Sequence, residues 1–102
     1  MFMARVKGNV VTTQKVEKMK GRKMLVVEPV RVNPDNTGII GTGRSFVAVD
    51  TLGAGTGELV VITQGSSSRL TSGTSDAPVD CVIIGIIDSV TILGDKLYET
   101  DK

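Results

Sequence analysis

The strongest constraint on the fold of this 102-residue chain is its abundance of β-branched residues in short runs, which glycines and other turn residues interrupt. β-Branched side chains favour extended strands, and turn residues at this spacing separate one strand from the next. The pattern therefore predicts an all-β chain. We place strands near residues 3–12, 23–32, 45–50, 58–64 and 81–88, with a final short strand over 90–93.

A single stretch, SSSRLT, favours a helical turn, with Ser66 as its N-cap. Five or so strands with one helical turn between the fourth and the fifth are typical of a small OB-like Greek-key β-barrel. A chain of 102 residues suits one domain with one modest core, so we expect a single barrel domain over residues 1–102. The tail, residues 91–102, is not assigned a structure beyond the short strand.

The composition is that of an ordinary globular protein, with 40% hydrophobic residues, 23% charged residues and a net charge of +1. No apolar run is as long as a membrane helix, and the first ten residues lack the features of a signal peptide. The lone Cys81 cannot form an internal disulfide. These observations predict a cytoplasmic protein without a membrane partner.

Two of the predicted strands, within KMLVVEPV and CVIIGIID, are nearly continuous apolar runs, which implies burial on both faces. One face of a barrel strand contacts the core, so the other must be covered, and a second subunit is the expected cover. The candidate interface residues are Val26 or Val27 and Ile84 or Ile86. Pro29 has no amide hydrogen to donate, so we expect a sheet edge or a bulge there.

The first predicted strand, ARVKGNVV, instead alternates, which predicts one buried face. That face carries Ala4, Val6, Gly8 and Val10.

Two absences limit the possible functions. The chain has no histidine, so it lacks the commonest general base at neutral pH and any His-containing metal site. It has no tryptophan, and its aromatic residues are Phe2, Phe46 and Tyr98. Such a surface offers little for nucleic-acid bases to stack on. We therefore expect no cofactor, no metal and no nucleic-acid partner.

The segment QGSSSRLTSGTSDAPVD contains serines and aspartates that could form an active site. Ser66, Ser67 and Ser68 would need an adjacent base to become nucleophiles, and no Ser-x-x-Lys spacing occurs here. Asp76 and Asp80 could be paired acids, but the Ala-Pro after Asp76 is typical of a turn. A loop that caps a helical turn is the favoured interpretation, and the chain is not expected to be an enzyme.

The glycine-rich stretch VDTLGAGTGELVV has two interpretations. Glycine turns can expose amide groups to phosphate, but the Gly-Lys-Ser/Thr ending is missing and a strand follows instead of a helix. The favoured interpretation is a tight turn that needs positive φ at Gly53, Gly55 or Gly57. Cys81 has no basic neighbour and is expected to be a small buried hydrophobe.

Charge is unevenly distributed along the chain. Seven basic residues precede Met24 with one acid, Glu17, among them, whereas most of the acids come later. The basic hairpin either solvates its own turn or forms a contact surface for an acidic partner edge or a nucleic-acid backbone. The net charge of +1 argues against the nucleic-acid version.

Four stretches together resemble the EutN/CcmL family of bacterial microcompartment vertex proteins: ARVKGNVVTTQK, KMLVVEPV, VAVDTLGAGTGELVVITQGSSSR and DAPVDCVIIGIIDSV. The resemblance runs from Met3 to about Val90 and departs around 33–43 and in the tail from Thr91. It implies a structural OB-like barrel that forms homopentamers at the fivefold vertices of a cytoplasmic microcompartment shell, beside hexameric shell proteins.

The resemblance also implies a place for the serine loop. Gly65, Ser66, Ser67, Ser68 and Arg69 would gather near the fivefold axis as an assembly or pore element, with Arg69 directed to Asp76 or Asp80. The alternatives are a monomeric OB-type binding module for nucleic acid or a small ligand, and a small enzyme that uses the Ser/Asp loop.

Overall fold

A computed structural model describes residues 1–65 and 80–100. These residues form eight strands and one 3-10 turn at Glu17–Met19. The strands are β1 Phe2–Val10, β2 Lys23–Val32, β3 Ile39–Gly41, β4 Phe46–Asp50, β5 Leu59–Gln64, β6 Cys81–Ile86, β7 Ser89–Ile92 and β8 Asp95–Glu99.

Five of the strands close into a barrel. The sheet runs β1-β5-β6-β4-β2, and β1 also pairs with β2, which joins the two ends of the sheet. β4 and β6 are parallel, and the other neighbouring pairs are antiparallel. The expected small OB-like barrel of about five strands is confirmed.

The barrel core is built from alternate residues of the strands, because successive side chains of a strand point to opposite faces. In β1, Ala4 and Val6 are buried as the alternation predicts. Gly8 and Val10 are only partly buried, because the register of β1 against β2 shifts between Val6 and Gly8. A register shift of this kind interrupts the alternation of faces.

Pro29 lies where β2 lacks a partner on one side. β4 pairs with β2 up to Val27, and β3 pairs with it only from Val30 onward. The carbonyl of Pro29 accepts from the amide of Thr42 at 3.0 Å on that same side. Pro29 therefore lies between the end of β4 and the start of β3 on that side, so its missing amide hydrogen costs no hydrogen bond of the sheet.

Three elements were not predicted from the sequence as they occur. The charged loop after β1 contains the 3-10 turn Glu17–Met19, and the turn-rich segment 33–43 contains β3. The short predicted strand over 90–93 corresponds to β7, and the unpredicted β8 pairs with it to form a hairpin. The helical turn expected over 66–71 lies outside the described residues.

The β7–β8 hairpin, which we call the tail hairpin (residues 89–99), packs on the outside of β1 and β5. The guanidinium of Arg5 lies 5.8 Å from the centre of the Tyr98 ring. The amide of Leu59 donates to the Tyr98 hydroxyl at 3.4 Å. Leu59 is fully buried although it points away from the core residues Val60 and Ile62 on the same strand.

In the described ranges, no helix has the length and apolar character needed to cross a bilayer.

Candidate assembly surfaces

An apolar band crosses the outside of the barrel on β2, β4 and β6. Its middle consists of Val49 and Val82, which are buried outside the main core under Met19 and Met24. The band's exposed members are Val47, at 52% exposure, and Ile84, at 38%. Val26 is partly buried and pairs directly with Val47. We call Val26, Val47 and Ile84 the outer apolar face.

The structure separates the four predicted interface residues into two pairs. Val27 has no exposed surface and belongs to the core, and Ile86 packs against that core. Val26 and Ile84 are the alternate residues and point outward. A side chain without exposed surface has none to lose to a neighbouring chain. Of the predicted interface residues, Val26 and Ile84 can therefore contact a neighbouring chain, and Val27 cannot.

Val47 and the covering Met19 were not predicted. Val47 lies in the short run FVAV, which is apolar at every position. The sequence therefore does not show which of its valines faces the core and which faces outward. Met19 lies in the charged loop and covers the middle of the band.

A buried carboxylate organises the glycine-rich loop after β4. The Asp50 side chain has 0% exposure. Its Oδ1 accepts from the amides of Leu52 at 2.9 Å and Gly53 at 3.2 Å, and its Oδ2 accepts from the amide of Ala54 at 2.8 Å. Lys23 Nζ lies 3.9 Å from Oδ2. This role of Asp50 was not predicted from the sequence, although an Asp followed by a turn is the signal for it.

Two of the three glycines in this loop have the left-handed conformation that the turn interpretation requires. Gly53 has φ of 85° and Gly57 has φ of 91°, whereas Gly55 is not at positive φ. A Cβ at Gly53 or Gly57 would meet nothing within 4 Å. These positions therefore favour glycine for the backbone conformation and not for lack of space.

The amides of the loop are already bonded within the chain, which argues against the phosphate-loop interpretation. Besides the three amides held by Asp50, the Gly55 amide donates to the Glu58 carboxylate and the Gly57 amide to the Val6 carbonyl. Two carboxylates in the position of a phosphate would repel an anion. The loop is therefore a turn whose amides are bonded within the chain.

Gly65 and Asp80 lie side by side at the two ends of the segment 66–79. The Gly65 amide donates to the Asp80 carbonyl at 2.9 Å and lies 3.2 Å from its Oδ1. Gly65 has φ of 72°. Asp80 therefore has a turn-organising contact, whereas Ser66, Ser67, Ser68, Arg69 and Asp76 lie outside the described residues.

Cys81 is buried in the barrel core at 5% exposure. Burial, and to a lesser extent the charge of Asp80, raises the pKa of its thiol above the ordinary value of 9.0. A raised pKa keeps the thiol protonated and weakly nucleophilic. In the part of the chain that the structure describes, no group of three or more His, Cys, Asp or Glu side chains could hold a metal ion.

The sequence model of one protein family, described as ethanolamine utilisation protein EutN/carboxysome, matches residues 1–88. The chain belongs to the EutN/CcmL family. Among its curated relatives, GrpN of Rhodospirillum rubrum is named a bacterial microcompartment shell vertex protein. GrpN is 39% identical over 90 residues, which cover 88% of this chain and 96% of GrpN.

Solved structures of EutN/CcmL proteins have the same fold. CcmL of Gloeobacter violaceus matches with a TM-score of 0.87 and 35% identity, and the match covers 100% of each chain. The structure of GrpN, described as a pentameric microcompartment shell protein, matches with a TM-score of 0.78 and 38% identity. That match covers 91% of this chain and 100% of GrpN.

The comparisons bear differently on the two departures from the EutN/CcmL family that we expected. We expected the chain to depart from the family around 33–43 and from Thr91 onward. The CcmL match leaves neither segment outside it. The family's sequence model does end at residue 88, before the tail hairpin begins.

Proposed function

We propose that this protein is a structural shell protein that forms a homopentamer and caps the fivefold vertices of a bacterial microcompartment. The observation that carries the proposal is the match to GrpN, a pentameric shell protein whose whole length is covered at 38% identity. Relatives named as shell vertex proteins point to the same role. A structural role also agrees with the closed glycine loop and the buried, protonated Cys81.

The outer apolar face supplies one side of the subunit contact in this proposal. A cyclic ring uses two different surfaces of each subunit, so one apolar patch need not face its own copy. Val47 and Ile84 are large apolar residues that remain exposed on otherwise well-packed strands. Obligate interfaces are more apolar than ordinary surface, so these residues fit such a contact better than they fit open solvent.

Native mass spectrometry of the purified chain tests the pentamer. We expect a dominant species at five times the chain mass of 10.8 kDa. A stable monomer would contradict the proposal and favour the alternative of a monomeric OB-type binding module. Electron microscopy of compartments assembled with and without the protein tests the vertex role, since shells without it should remain open or elongate.

The serine loop completes the proposal at the ring axis. Gly65, Ser66, Ser67, Ser68 and Arg69 would lie near the axis, because small hydroxyl side chains repeated around an axis can approach one another and still bind water. Arg69 would point away from the axis, since a ring of guanidiniums would repel. An experimental pentamer structure with Ser66 to Ser68 at the outer rim would refute this placement and leave the vertex role intact.

The pentamer would sit among neighbouring hexameric shell proteins, within a shell in the cytoplasm, and would catalyse no reaction. Co-expression with hexameric shell proteins, followed by purification of closed shells, tests the partner. Recovery of hexamer-only shells that are already closed would speak against it.

A further inference from the structure

The tip of the tail hairpin carries an unusual residue. Ile92 pairs with Asp95, so the hairpin turns through two residues, Leu93 and Gly94. Their φ values are 52° and 87°. A two-residue turn with both residues at positive φ strongly prefers Asn-Gly or Asp-Gly. Leucine at such a position is strained, and here it is also 86% exposed.

A strained and exposed leucine contributes nothing to the chain's own core. Strained backbone of this kind clusters at functional sites, so it is a reason to ask what the side chain contacts. Leu93 has the two properties of a contact residue, namely a large apolar surface and a fixed outward position at the end of a short hairpin. Such a residue implies a surface that receives it.

The charge of the tail hairpin restricts that surface. Asp95 in the hairpin and Asp88, which immediately precedes it, are exposed, and neither has an ion-pair partner among residues 1–65 and 80–100. Lys96, the one base of the hairpin, pairs with Glu99 at 2.7 Å. The hairpin therefore presents one free carboxylate, Asp95, beside its apolar tip and a second, Asp88, at its base. A matching surface would be an apolar pocket near free cations.

The same chain has an apolar pocket on another part of the barrel, beside a loop that is rich in lysine. A pocket of about 260 Å³ on β2, β4 and the start of β6 is lined by Met19, Met24, Val47 and Val49, together with Phe46, Cys81 and the carboxylate-bearing Asp80. Met19 belongs to the basic loop, residues 11–22. In that loop Lys15 and Lys18 are exposed, and within the described part of the chain neither forms an ion pair.

We propose that the tail hairpin of one subunit docks on the neighbouring subunit of the ring, with Leu93 in the pocket beside Met19 and Val47 and with Asp88 and Asp95 facing the basic loop. This inference rests on the proposed pentamer and names its second contact surface. The occupant of the pocket is a second copy of this chain.

The positions of the two surfaces make the contact directional. The hairpin packs on β1 and β5, whereas the pocket is centred on β4, the barrel strand that pairs with neither of them, and on the adjoining parts of β2 and β6. A contact between two different surfaces of identical chains is heterologous, and it closes into a ring when the rotation per subunit divides the circle. The opposite charges would allow only the head-to-tail arrangement.

The variant Leu93→Asn tests the apolar part of the contact, because it should favour the turn of the folded chain and at the same time weaken the contact between subunits. Asn suits the turn better than Leu, so the folded chain should keep its circular dichroism and should not lose thermal stability in the dissociated state. The subunit contact should weaken by about tenfold or more, because a buried leucine is lost. Dilution series in native mass spectrometry measure the weakening.

Two further variants locate the receiving side. Val47→Asp should weaken the ring in the same way as Leu93→Asn. Ile40→Asp is the matched control, since Ile40 is 36% exposed on β3, away from the pocket, and should leave the ring unchanged. An unchanged ring in Leu93→Asn, or equal weakening by Ile40→Asp and Val47→Asp, would overturn the inference.

Charge reversal tests the direction of docking. The pair Asp88→Lys and Asp95→Lys should weaken the ring, as should the pair Lys15→Glu and Lys18→Glu. Combining all four changes in one chain should restore the ring, because each contact again joins opposite charges. Failure of the combined variant to recover would overturn the inference.

The two proposals fail in distinguishable ways. A wild-type chain without a fivefold mass contradicts the proposed function and this inference together. A fivefold wild type whose Leu93→Asn variant is equally stable as a ring, but no longer enters shells, overturns the inference alone. In that case the hairpin contacts a different shell protein.

Discussion

Cys81 illustrates how burial can remove chemistry from a reactive residue type. Its thiol is the one cysteine of the chain, it lies in the core at 5% exposure, and its pKa is raised. The thiolate is the reactive form, and folding disfavours it.

We therefore expect iodoacetamide at pH 8 to alkylate Cys81 at least about tenfold more slowly in the folded protein than in urea. Mass spectrometry of timed samples measures the two rates. Because the pKa of the Cys81 thiol is higher in the folded chain than in the unfolded chain, this thiol should leave the free energy of unfolding unchanged below about pH 9. Above that pH the free energy of unfolding should decrease, since the unfolded chain loses the thiol proton first. Equal alkylation rates with and without urea would show that the thiol is accessible.

Gly53 and Gly8 separate the effect of backbone conformation from the effect of space. A Cβ at either position would meet nothing within 4 Å, but only Gly53 is at positive φ. A side chain at positive φ costs about 1 kcal/mol, and in a chain of this size that corresponds to roughly 4–8 °C in Tm.

Gly53→Ala should therefore lower the Tm by about 4–8 °C, whereas Gly8→Ala should leave it nearly unchanged or raise it slightly. Differential scanning calorimetry at one protein concentration compares the two variants. Added ATP should not raise the Tm of the wild type, because the loop amides are already bonded. A clear rise with ATP would revive the phosphate-loop interpretation.

At the scale of elements, the loop between β4 and β5 depends on one carboxylate. Asp50 ends β4, has no exposed surface, and accepts from three consecutive backbone amides of the loop. These bonds hold the loop closed at the end of the barrel, where Gly57 also contacts β1 through the Val6 carbonyl.

Removal of the carboxylate in Asp50→Ala leaves these amides without acceptors, and we expect a loss of about 3 kcal/mol in the free energy of unfolding. Asp50→Asn keeps one oxygen and should cost less. Urea unfolding at a fixed protein concentration measures both, since the stability of an oligomer depends on concentration. A loss below 1 kcal/mol for Asp50→Ala would show that water replaces the carboxylate.

At the scale of the whole molecule, the outer apolar face is the surface that we propose as a subunit contact. Ile84→Asp should yield monomers or insoluble protein, because a charge at the centre of an apolar interface is costly. Sedimentation velocity measures the mass, and circular dichroism checks that the chain is folded. Ile40→Asp, of similar exposure, serves as the control, and a soluble Ile84→Asp pentamer would refute the role of the face. Ile86→Asp is a poorer test, since Ile86 packs on the core.

Local patterns in the chain were sufficient to predict the barrel strands, the positive φ of the glycine turn and the family. Each of these depends on neighbouring residues: β-branched runs make strands, and a glycine without Cβ can take the left-handed conformation. The same patterns could not predict which of Val26 and Val27, or of Ile84 and Ile86, faces outward. In a run that is apolar at every position, the sequence does not show which residues face the core and which face outward. A shift of one residue in the strand would exchange the two faces.

Other features depend on residues that are distant in the chain. Met19 covers Val49 and Val82, the tail hairpin rests on Arg5 and Leu59, and β3 exists because β2 offers it an open edge beyond Pro29. Folding brings these partners together, so no local pattern marks them. The strain at Leu93 likewise becomes visible only when the two-residue turn is formed, because nothing in the sequence ILGD requires a leucine to take positive φ.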